Sequence, residues 1–283
     1  MNYVSAIILS LFIIVGGTAA QGAGKNLIIK GSTTVLPIAQ TVSEVFMDRN
    51  PEINISVQGG GSGVGIASLL DGTTDIADSS RKIQAKELAR AKDMGIQPYE
   101  TIIALDGIAL IVHPLNILNY LTREQVKAIY TGKISNWSQL GGEDKKIVVI
   151  SRDTSSGTFE AFELLVLDKE KVRPDALTTA SNQAVVMTVA SSPNTIGYAG
   201  LSYVTKKVKA LKIDKVECTS ETILSGEYPL SRPLYMYTNG APEGLTKQLI
   251  DFVLSAEGQK LVEEEGFEGV KTPSIRNSIP DNQ

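Results

Sequence analysis

Short β-branched runs alternate with runs of helical periodicity from residue 25 onwards. Residues 26–30 (NLIIK) and 54–58 (NISVQ) are predicted strands, because β-branched residues are enriched in strands. Between them, apolar side chains recur at a spacing that buries one face of a helix, and residues 66–70 open a second predicted helix. The apolar side chains of the first helix are Val35, Ile38, Ala39, Val42, Val45 and Phe46. This alternation favours an α/β architecture with largely parallel strands.

A long apolar stretch, IIALDGIALIVH at 102–113, ends at Pro114. It is longer than a typical strand of about 5–6 residues, so we predict that it crosses from one lobe to another and acts as a hinge. Residues 231–238 (SRPLYMYT) are predicted to carry the chain back. The first lobe would then comprise residues 25–112 with 228–283, and the second lobe residues 113–227.

Within these lobes the alternation of strands and helices continues. Residues 147–150 (IVVI) are a predicted buried strand, and residues 158–167 are the helix that follows it. Residues 245–265 are predicted to form closing helices in the first lobe.

The first residues of the chain have a different pattern. An apolar run at 6–15 is followed by the small residues GGTAA at 16–20, which resembles the core and cleavage region of a signal peptide. Residues 1–24 are therefore predicted to be a signal peptide or an N-terminal anchor, and the protein to be exported to the periplasm or the outer face of the cytoplasmic membrane. An uncleaved anchor stays an alternative, although the run is shorter than the about 20 residues of a spanning helix.

Composition narrows the functional classes by exclusion. The chain has 283 residues and a net charge of -4, so it lacks the basic surplus that draws proteins to nucleic acid. Cys218 is its only cysteine and His113 its only histidine, which excludes an internal disulfide and zinc sites built from Cys/His clusters. We expect no cofactor and an ordinary thiol at Cys218.

Three predicted strands are each followed by a cluster of glycine and hydroxyl residues and then by a predicted helix. The clusters are GSTT at 31–34, GGGSG at 59–63 and DTSSGT at 153–158. The first turn of a helix leaves backbone N–H groups unpaired at the positive end of its dipole, and hydroxyl groups add further donors. A single cluster is better explained by helix capping, because Ser and Thr are favoured N-cap residues. Three together favour a shared oxyanion site.

Two arginines flank these clusters. Arg152 directly precedes the third cluster, where its guanidinium could hold a tetrahedral oxyanion through two parallel hydrogen bonds or form a weak surface ion pair. Arg81 could pair with Asp78 and brace its own loop. The chain lacks a phosphate-binding GxxxxGK[ST] loop and a GxGxxG motif, and a Ser-His-Asp triad has poor support. Donors without a base indicate binding and not catalysis.

Six segments, taken in order, resemble the periplasmic phosphate-binding proteins of the phosphate-specific ABC transporter. They are KGSTTVLPIAQ (30–40), QGGGSGVGI (58–66), TDIADSSR (74–81), TGKISNWSQLGG (131–142), SRDTSSGTFEAF (151–162) and IGYAGLSYV (196–204). The resemblance covers nearly the whole exported chain. It implies a type II periplasmic-binding-protein fold, in which two α/β lobes joined by two crossover segments close over one phosphate ion. It also implies delivery of the ion to the membrane permease of an ABC importer, by a monomer that is not an enzyme.

The resemblance also implies which residues face the phosphate. The first lobe would contribute Ser32, Thr33, Thr34 and Ser62, and the second lobe Arg152, Ser156, Gly157 and Thr158. Trp137 is expected to pack with its N–H paired, outside the site.

One position departs from the family pattern. Some members have an aspartate where this chain has Ser80, and an acceptor there could bind the proton that distinguishes hydrogen phosphate from sulfate. We predict that Asp106 takes this role, with Asp78 as the second candidate. Two further functions stay open on the sequence alone: binding of another tetrahedral oxyanion (sulfate, molybdate or tungstate), and hydrolysis of phosphate esters with Ser62 or Thr158 as nucleophile. A phosphate sensor would have the same sequence features as a transport protein.

Overall fold

The computed structural model describes residues 25–270. The predicted signal peptide or anchor at 1–24 lies outside these residues, as does the end of the predicted first lobe beyond residue 270. Within 25–270, none of the helices has both the length and the apolar character needed to cross a membrane.

The strands of the described chain join into one mixed sheet. In chain order they are β1 (Lys25–Gly31), β2 (Ile53–Gly59), β3 (Ile76–Ser79), β4 (Pro98–Val112), β5 (Tyr120–Leu121), β6 (Val148–Arg152), β7 (Leu177–Thr179), β8 (Thr195–Gly200), β9 (Lys209–Ile213), β10 (Ser231–Asn239) and β11 (Glu268–Gly269). The central order is β2-β1-β3-β10-β4-β8-β6-β7. β1 is parallel to β2 and β3, and β6 is parallel to β7 and β8, whereas β10 and β4 run antiparallel to their neighbours. The prediction of an α/β architecture with largely parallel strands is therefore confirmed outside the two central strands.

The helices cover both ends of this sheet. They are α1 (Leu36–Arg49), α2 (Ser62–Leu70), α3 (Ala85–Asp93), α4 (Arg123–Tyr130), α5 (Gly157–Phe162), α6 (Asn182–Ser191), α7 (Ser220–Leu224), α8 (Gly244–Leu254) and α9 (Ala256–Glu264). A π-helical segment, Glu163–Leu167, extends α5 and completes the helix predicted at 158–167. α2 begins at Ser62 and ends at Leu70, so the prediction that residues 66–70 open this helix was wrong. The second loop already belongs to the helix because Ser62 and Gly63 form its first turn.

Each lobe has one large hydrophobic core, and two smaller clusters of buried apolar side chains lie beside them. The first core joins α1, α8 and α9 to β1, β2 and β3, with side chains such as Ile29, Val42 and Leu249. The second core runs in sequence from Ile108 to Leu230 and packs helices around β6 and β8. Trp137 is buried in this second core, and its indole N–H donates to the backbone oxygen of Asn194 at 3.2 Å, so it lies outside the candidate site.

β4 runs from one half of the sheet into the other, and β10 begins where the two halves meet. β4 pairs with β10 up to Gly107 and with β8 from Ile108 onwards, so one continuous strand contributes to both halves of the sheet. The predicted crossing at 102–113 lies in this strand, which is 15 residues long. β10 brings the chain back beside it, and in the register of this pair Asp106 lies opposite Arg232. The ladder between the two crossing strands therefore places these two charged residues at the junction of the lobes.

Candidate anion-binding site

Hydroxyl loops from the two lobes meet where the lobes join. The loop after β1 carries Thr33 and Thr34, while Arg152 ends β6 and Thr158 lies in the helix after it. Thr33 Oγ1 accepts a hydrogen bond of 3.3 Å from Nη2 of Arg152, and the hydroxyl oxygens of Thr34 and Thr158 lie 3.0 Å apart. Both loops follow the carboxyl ends of parallel strands, the edge at which α/β sheets bind ligands. The structure thus brings these four predicted residues together.

The glycine-rich loop after β2 reaches the same place through Ser62. The hydroxyl oxygen of Ser62 accepts a hydrogen bond of 3.0 Å from the backbone N–H of Ser80 and lies 3.3 Å from the Ser80 hydroxyl. A Cβ atom on Gly157 would lie 2.2 Å from Ser62 Oγ and 2.7 Å from Ser80 Oγ. Only glycine lets the start of α5 approach the first lobe this closely. The two lobes are therefore closed upon each other at this point.

Arg152 is a buried cation whose nearest carboxylate, that of Asp153, makes only a long ion pair with it. Its Nε donates to the backbone oxygen of Thr179 at 3.2 Å and its Nη2 to that of Ala180 at 3.1 Å, so neutral carbonyl groups hold the guanidinium in place. The side chain is only 1% exposed, and Asp153 lies 3.9 Å from Nη2. Burial lowers the pKa of Arg152, and Nη1 has no hydrogen-bond partner within residues 25–270. An anion would satisfy both the charge and this nitrogen.

A second guanidinium, that of Arg232, lies at the junction of the lobes and was missed by the sequence analysis. Its Nε and Nη2 both donate to Oδ2 of Asp106, at 3.1 and 2.8 Å, and Nη1 donates to the backbone oxygen of Ser80 at 3.2 Å. Nη2 also lies 3.2 Å from Thr34 Oγ1 and 3.0 Å from Thr158 Oγ1. A single arginine inside the apolar strand predicted at 231–238 was a signal that could have revealed it, because an unpaired arginine is rarely buried.

The carboxylate of Asp106 has other partners than the prediction gave it. Besides the two donors from Arg232, its Oδ1 accepts the backbone N–H of Leu201 at 3.2 Å. Burial raises the pKa of Asp106, while the charge and the hydrogen bonds of Arg232 act in the opposite direction. Three of its roughly four acceptor positions are taken by protein donors, so little of this carboxylate is left for the predicted role of accepting a ligand proton. Asp78, the second candidate, is 2% exposed on β3, and its Oδ1 has no hydrogen-bond partner in the described chain.

Asn182 is another contributor for which the sequence offered no signal. It begins α6, is completely buried, and its Nδ2 lies 2.9 Å from Thr34 Oγ1. Its Oδ1 accepts the backbone N–H of Gly200 at 3.3 Å. A side chain of the second lobe therefore donates to a hydroxyl of the first lobe, directly beside the candidate site.

Two predicted site residues have capping roles. Ser32 Oγ accepts the backbone N–H groups of Thr34 and Val35, at 3.1 and 3.4 Å, just before α1. Ser156 is the N-cap of α5, and its Oγ accepts the backbone N–H of Phe159 at 3.2 Å. Both hydroxyls are buried beside the other predicted residues, and both arrange backbone N–H groups by local capping.

Arg81 pairs with two glutamates, and not with Asp78, the partner that the sequence left open for it. Its Nη1 lies 2.8 Å from Oε2 of Glu87 on α3, and its Nε forms an ion pair with Glu160 on α5. Glu87 belongs to the first lobe and Glu160 to the second. The guanidinium of Arg81 therefore joins the lobes at the rim of the site, where the side chains of Arg81 and Glu160 are 7% and 14% exposed.

Backbone contacts continue this rim. Gly63 donates its N–H to the backbone oxygen of Ser155 at 3.0 Å, and the Ser155 hydroxyl donates to the backbone oxygen of Gly60 at 3.0 Å. These bonds connect the second and third loops across the boundary between the lobes.

The contacts of the two candidate nucleophiles include no general base. Ser62 Oγ is bonded to Ser80, and Thr158 Oγ1 lies beside Thr34 and Arg232. Burial is the main cause that raises the pKa of the Cys218 thiol to about 12, so this side chain is a poor nucleophile.

Comparisons with known proteins agree with this geometry. The sequence profile of the PBP superfamily domain matches residues 16–257 of the chain. The phosphate-binding protein PstS of Bacillus subtilis (strain 168) is 35% identical over 249 residues, which cover 87% of this chain and 81% of the relative.

Two solved structures are similar along their whole length. One is a substrate-binding protein of Clostridium perfringens assigned to phosphate ABC transport and solved with bound phosphate; it is 38% identical with a TM-score of 0.82, and the match covers 87% of this chain and 100% of that one. The other is an ABC-type phosphate transport receptor from Vibrio cholerae, which is 35% identical with a TM-score of 0.73 over 86% of this chain and 100% of that one. The predicted two-lobe type II fold is confirmed. The chain belongs to the PBP superfamily and, within it, to the family of phosphate-binding proteins.

Proposed function

We propose that this protein captures inorganic phosphate between its two lobes and delivers it to an ABC-type importer. One observation carries the proposal: the guanidinium of Arg152 is buried without a full set of partners, and it contacts the Thr33 hydroxyl of the opposite lobe. A buried cation of this kind is costly unless an anion pairs with it. The similar proteins named above, which are phosphate-binding or phosphate-transport proteins, identify the anion.

The proposed phosphate contacts come from both lobes. The ion would receive hydrogen bonds from Arg152 and from the backbone N–H groups of Gly157 and Thr158, because the first N–H groups of a helix have no partner within the helix. The hydroxyls of Thr33, Ser62, Ser80 and Thr158 would surround the remaining oxygens. Ser32 and Ser156 would contribute by capping the helices that follow their loops. Thr34 would contribute through its contacts with Thr158 and Asn182.

The proposal assigns a structural role to Asp106. Its carboxylate would fix Arg232 and neutralise its charge, instead of accepting the phosphate proton as the sequence analysis predicted. Phosphate would then be recognised by hydrogen-bond donors, and the proposal names no carboxylate oxygen that accepts the proton of hydrogen phosphate.

Closure of the lobes would enclose the ion. We propose that β4 and β10 act as the hinge, between a lobe of residues 25–112 with 228–283 and a lobe of residues 113–227. The bonds of Arg81 with Glu160 and of Ser155 with Gly60 would form only when the lobes close, since each joins residues of different lobes.

Export, docking on a membrane permease, a monomeric state and the lack of catalysis complete the proposal. The relatives named above support the transport role. A binding role without catalysis is supported by the hydroxyl partners of Ser62 and Thr158, because a hydrolase would need a base beside its nucleophile.

Calorimetry on protein freed of bound anion tests the proposed function. Phosphate, sulfate and molybdate are titrated separately, and we expect phosphate to bind most tightly. Sulfate or molybdate binding at least as tightly as phosphate would assign the site to another oxyanion. No heat of binding with any of the three would contradict the anion site itself.

A further inference from the structure

The amide group of Asn182 has only one orientation that satisfies its neighbours. The backbone N–H of Gly200 can only donate, and it lies 3.3 Å from one terminal atom of the Asn182 side chain. That atom must be the carbonyl oxygen, so the amide nitrogen faces Thr34 Oγ1 at 2.9 Å. Asn182 is therefore a donor towards Thr34.

Arg232 provides a second donor to the same hydroxyl. Its Nη2 carries two hydrogens, and the carboxylate of Asp106 at 2.8 Å takes one of them. The other is shared between Thr34 Oγ1 at 3.2 Å and Thr158 Oγ1 at 3.0 Å. A guanidinium does not lose its proton in proteins, so this contact always supplies a hydrogen and never accepts one.

These two donors determine the direction of the Thr34 hydroxyl. Its oxygen has two lone pairs, and Asn182 and Arg232 occupy both, so the O–H group has to donate. The acceptor within reach is Thr158 Oγ1, at 3.0 Å. Thr158 Oγ1 thus accepts from Thr34 and shares the hydrogen of Arg232, and its own O–H is left to point away from both.

We infer that Asn182, Thr34 and Arg232 form a network that fixes the Thr158 hydroxyl as a donor to the bound anion. This inference rests on the proposed function, because it assigns positioning and selectivity to residues behind the phosphate contacts. All of these side chains are at most 5% exposed, so water does not compete for their hydrogen bonds. Asp106 cancels the charge of Arg232, and the network therefore adds direction to the site without adding a second net positive charge.

The network restricts which protonation state of the ligand can bind. A hydroxyl held as a donor cannot accept a hydrogen bond from a protonated ligand oxygen, and burying such an oxygen against it would be unfavourable. The phosphate oxygen at Thr158 must therefore carry no proton. Doubly charged phosphate, with three unprotonated oxygens, can meet this requirement in more orientations than the singly charged form, which has two, so it binds better at this position.

A double-mutant cycle with inorganic phosphate tests the network. The variants are Thr34→Val, Asn182→Leu and their combination, and the control is Thr188→Val, which removes a hydroxyl bonded to its own helix α6 at Ala184. We expect each single variant to bind phosphate about 10-fold more weakly, as for the loss of one buried hydrogen bond. Asn182 Nδ2 lies 2.9 Å from Thr34 Oγ1 and 3.5 Å from Thr33 Oγ1, so Asn182 acts mainly through Thr34. The combined variant should therefore lose close to about 10-fold, and clearly less than about 100-fold.

The dependence of phosphate binding on pH provides the second measurement, which a purely structural role would leave unchanged. Wild-type affinity should fall when the pH is lowered from about 8 to about 6, as phosphate takes up its second proton. In Thr34→Val the Thr158 oxygen regains a free lone pair, so this fall should be at least about 3-fold smaller. Thr188→Val should retain the wild-type profile.

The outcomes separate the two proposals. Additive losses in the double-mutant cycle, or identical pH profiles in wild type and Thr34→Val, would overturn the network while phosphate binding by the wild type stands. If the wild type binds no phosphate, the proposed function is wrong, and with it the inference that the network orients a donor towards phosphate. The thermal unfolding midpoints of all variants, measured without phosphate, show whether each one is folded.

Discussion

Two buried arginines lie beside the same site, and they differ in what holds them. Arg232 is paired with a full negative charge, because Asp106 accepts both its Nε and its Nη2. Arg152 is held by the carbonyl oxygens of Thr179 and Ala180, which are neutral, and one of its nitrogens has no partner in the described chain. The carboxylate of Asp106 therefore distinguishes the two arginines. The guanidinium of Arg232, which it pairs with, has a structural role, and that of Arg152 is available to an anion.

This difference has a physical basis in the cost of burying charge. Removing a cation from water is unfavourable, and a fixed carboxylate offsets that cost permanently, whether or not a ligand is present. Arg152 is held mainly by carbonyl dipoles, with Asp153 at 3.9 Å as its nearest carboxylate, so the ligand has to offset most of the cost, and binding becomes stronger for that reason. Variants of the Arg232 pair should therefore affect stability, and variants of Arg152 should affect phosphate binding.

Removal of Asp106 should have the largest effect, and the effect should be on stability. Asp106→Leu leaves Arg232 buried without its counter-charge, so we expect the free energy of unfolding to fall by about 3–5 kcal/mol in urea titrations. The double variant Asp106→Leu with Arg232→Met should recover much of that loss, because it removes both charges. A loss below about 1 kcal/mol in the single variant would show that the pair is not the fixed unit described here.

Removal of Arg152 should affect binding and not stability. Arg152→Met should weaken phosphate binding by about 2–5 kcal/mol in calorimetry, because the ligand loses its charged partner in a desolvated site. Its unfolding free energy in the absence of phosphate should stay close to that of the wild type. The control is Arg90→Met, which removes an exposed arginine paired with Asp71. A binding loss below about 0.5 kcal/mol would show that Arg152 does not pair with the bound ion.

Asp78 extends the comparison to a buried carboxyl group without a cation. Burial raises its pKa well above the usual value, so the folded protein keeps the proton at pH values where the unfolded chain has lost it. The unfolded state then binds fewer protons, and stability falls as the pH rises from about 4, the unfolded pKa, towards the higher folded pKa. The slope is up to about 1.4 kcal/mol per pH unit.

The variant Asp78→Asn tests this prediction, because its side chain has a similar shape and does not ionise in this range. Urea titrations across that pH window should show a smaller loss of stability in the variant than in the wild type. Parallel curves for the two proteins would mean that Asp78 ionises in the folded state without cost.

The ion pair at the rim should have the smallest effect. Glu160→Gln removes the partner of Arg81 from the second lobe, but Glu87 remains bound to the guanidinium. We expect phosphate to bind about 2- to 5-fold more weakly, because only the closed arrangement loses an interaction. The control is Glu163→Gln, just after α5. An unchanged affinity in Glu160→Gln would show that the rim contact does not contribute to closure.

The sequence predicted those parts of the protein that depend on local patterns. The strands, the amphipathic helix α1 and the three hydroxyl clusters are set by residues close to each other in the chain. Arg152 could be identified because it directly precedes one of these clusters. The resemblance to a known family then supplied the overall arrangement, which periodicity cannot determine.

Contacts that depend on distant parts of the chain were the ones missed. Asp106 and Arg232 are 126 residues apart, and only the antiparallel register of β4 and β10 places them opposite each other. The sequence offered the nearby Asp78 as a possible partner of Arg81, whereas its partners Glu87 and Glu160 are brought to it by the packing of two helices. The orientation of Asn182 depends on Gly200 of β8, which the sequence also could not show.

The crossing of the lobes on two neighbouring antiparallel strands has a mechanical consequence. If β4 and β10 form the proposed hinge, the lobes can open by bending and twisting of these strands while the hydrogen bonds between them stay intact. Opening would then break no backbone pairing between β4 and β10, and the elastic cost of each cycle would be small. Most of the free energy gained on binding an ion would then remain available to hold the lobes closed around it.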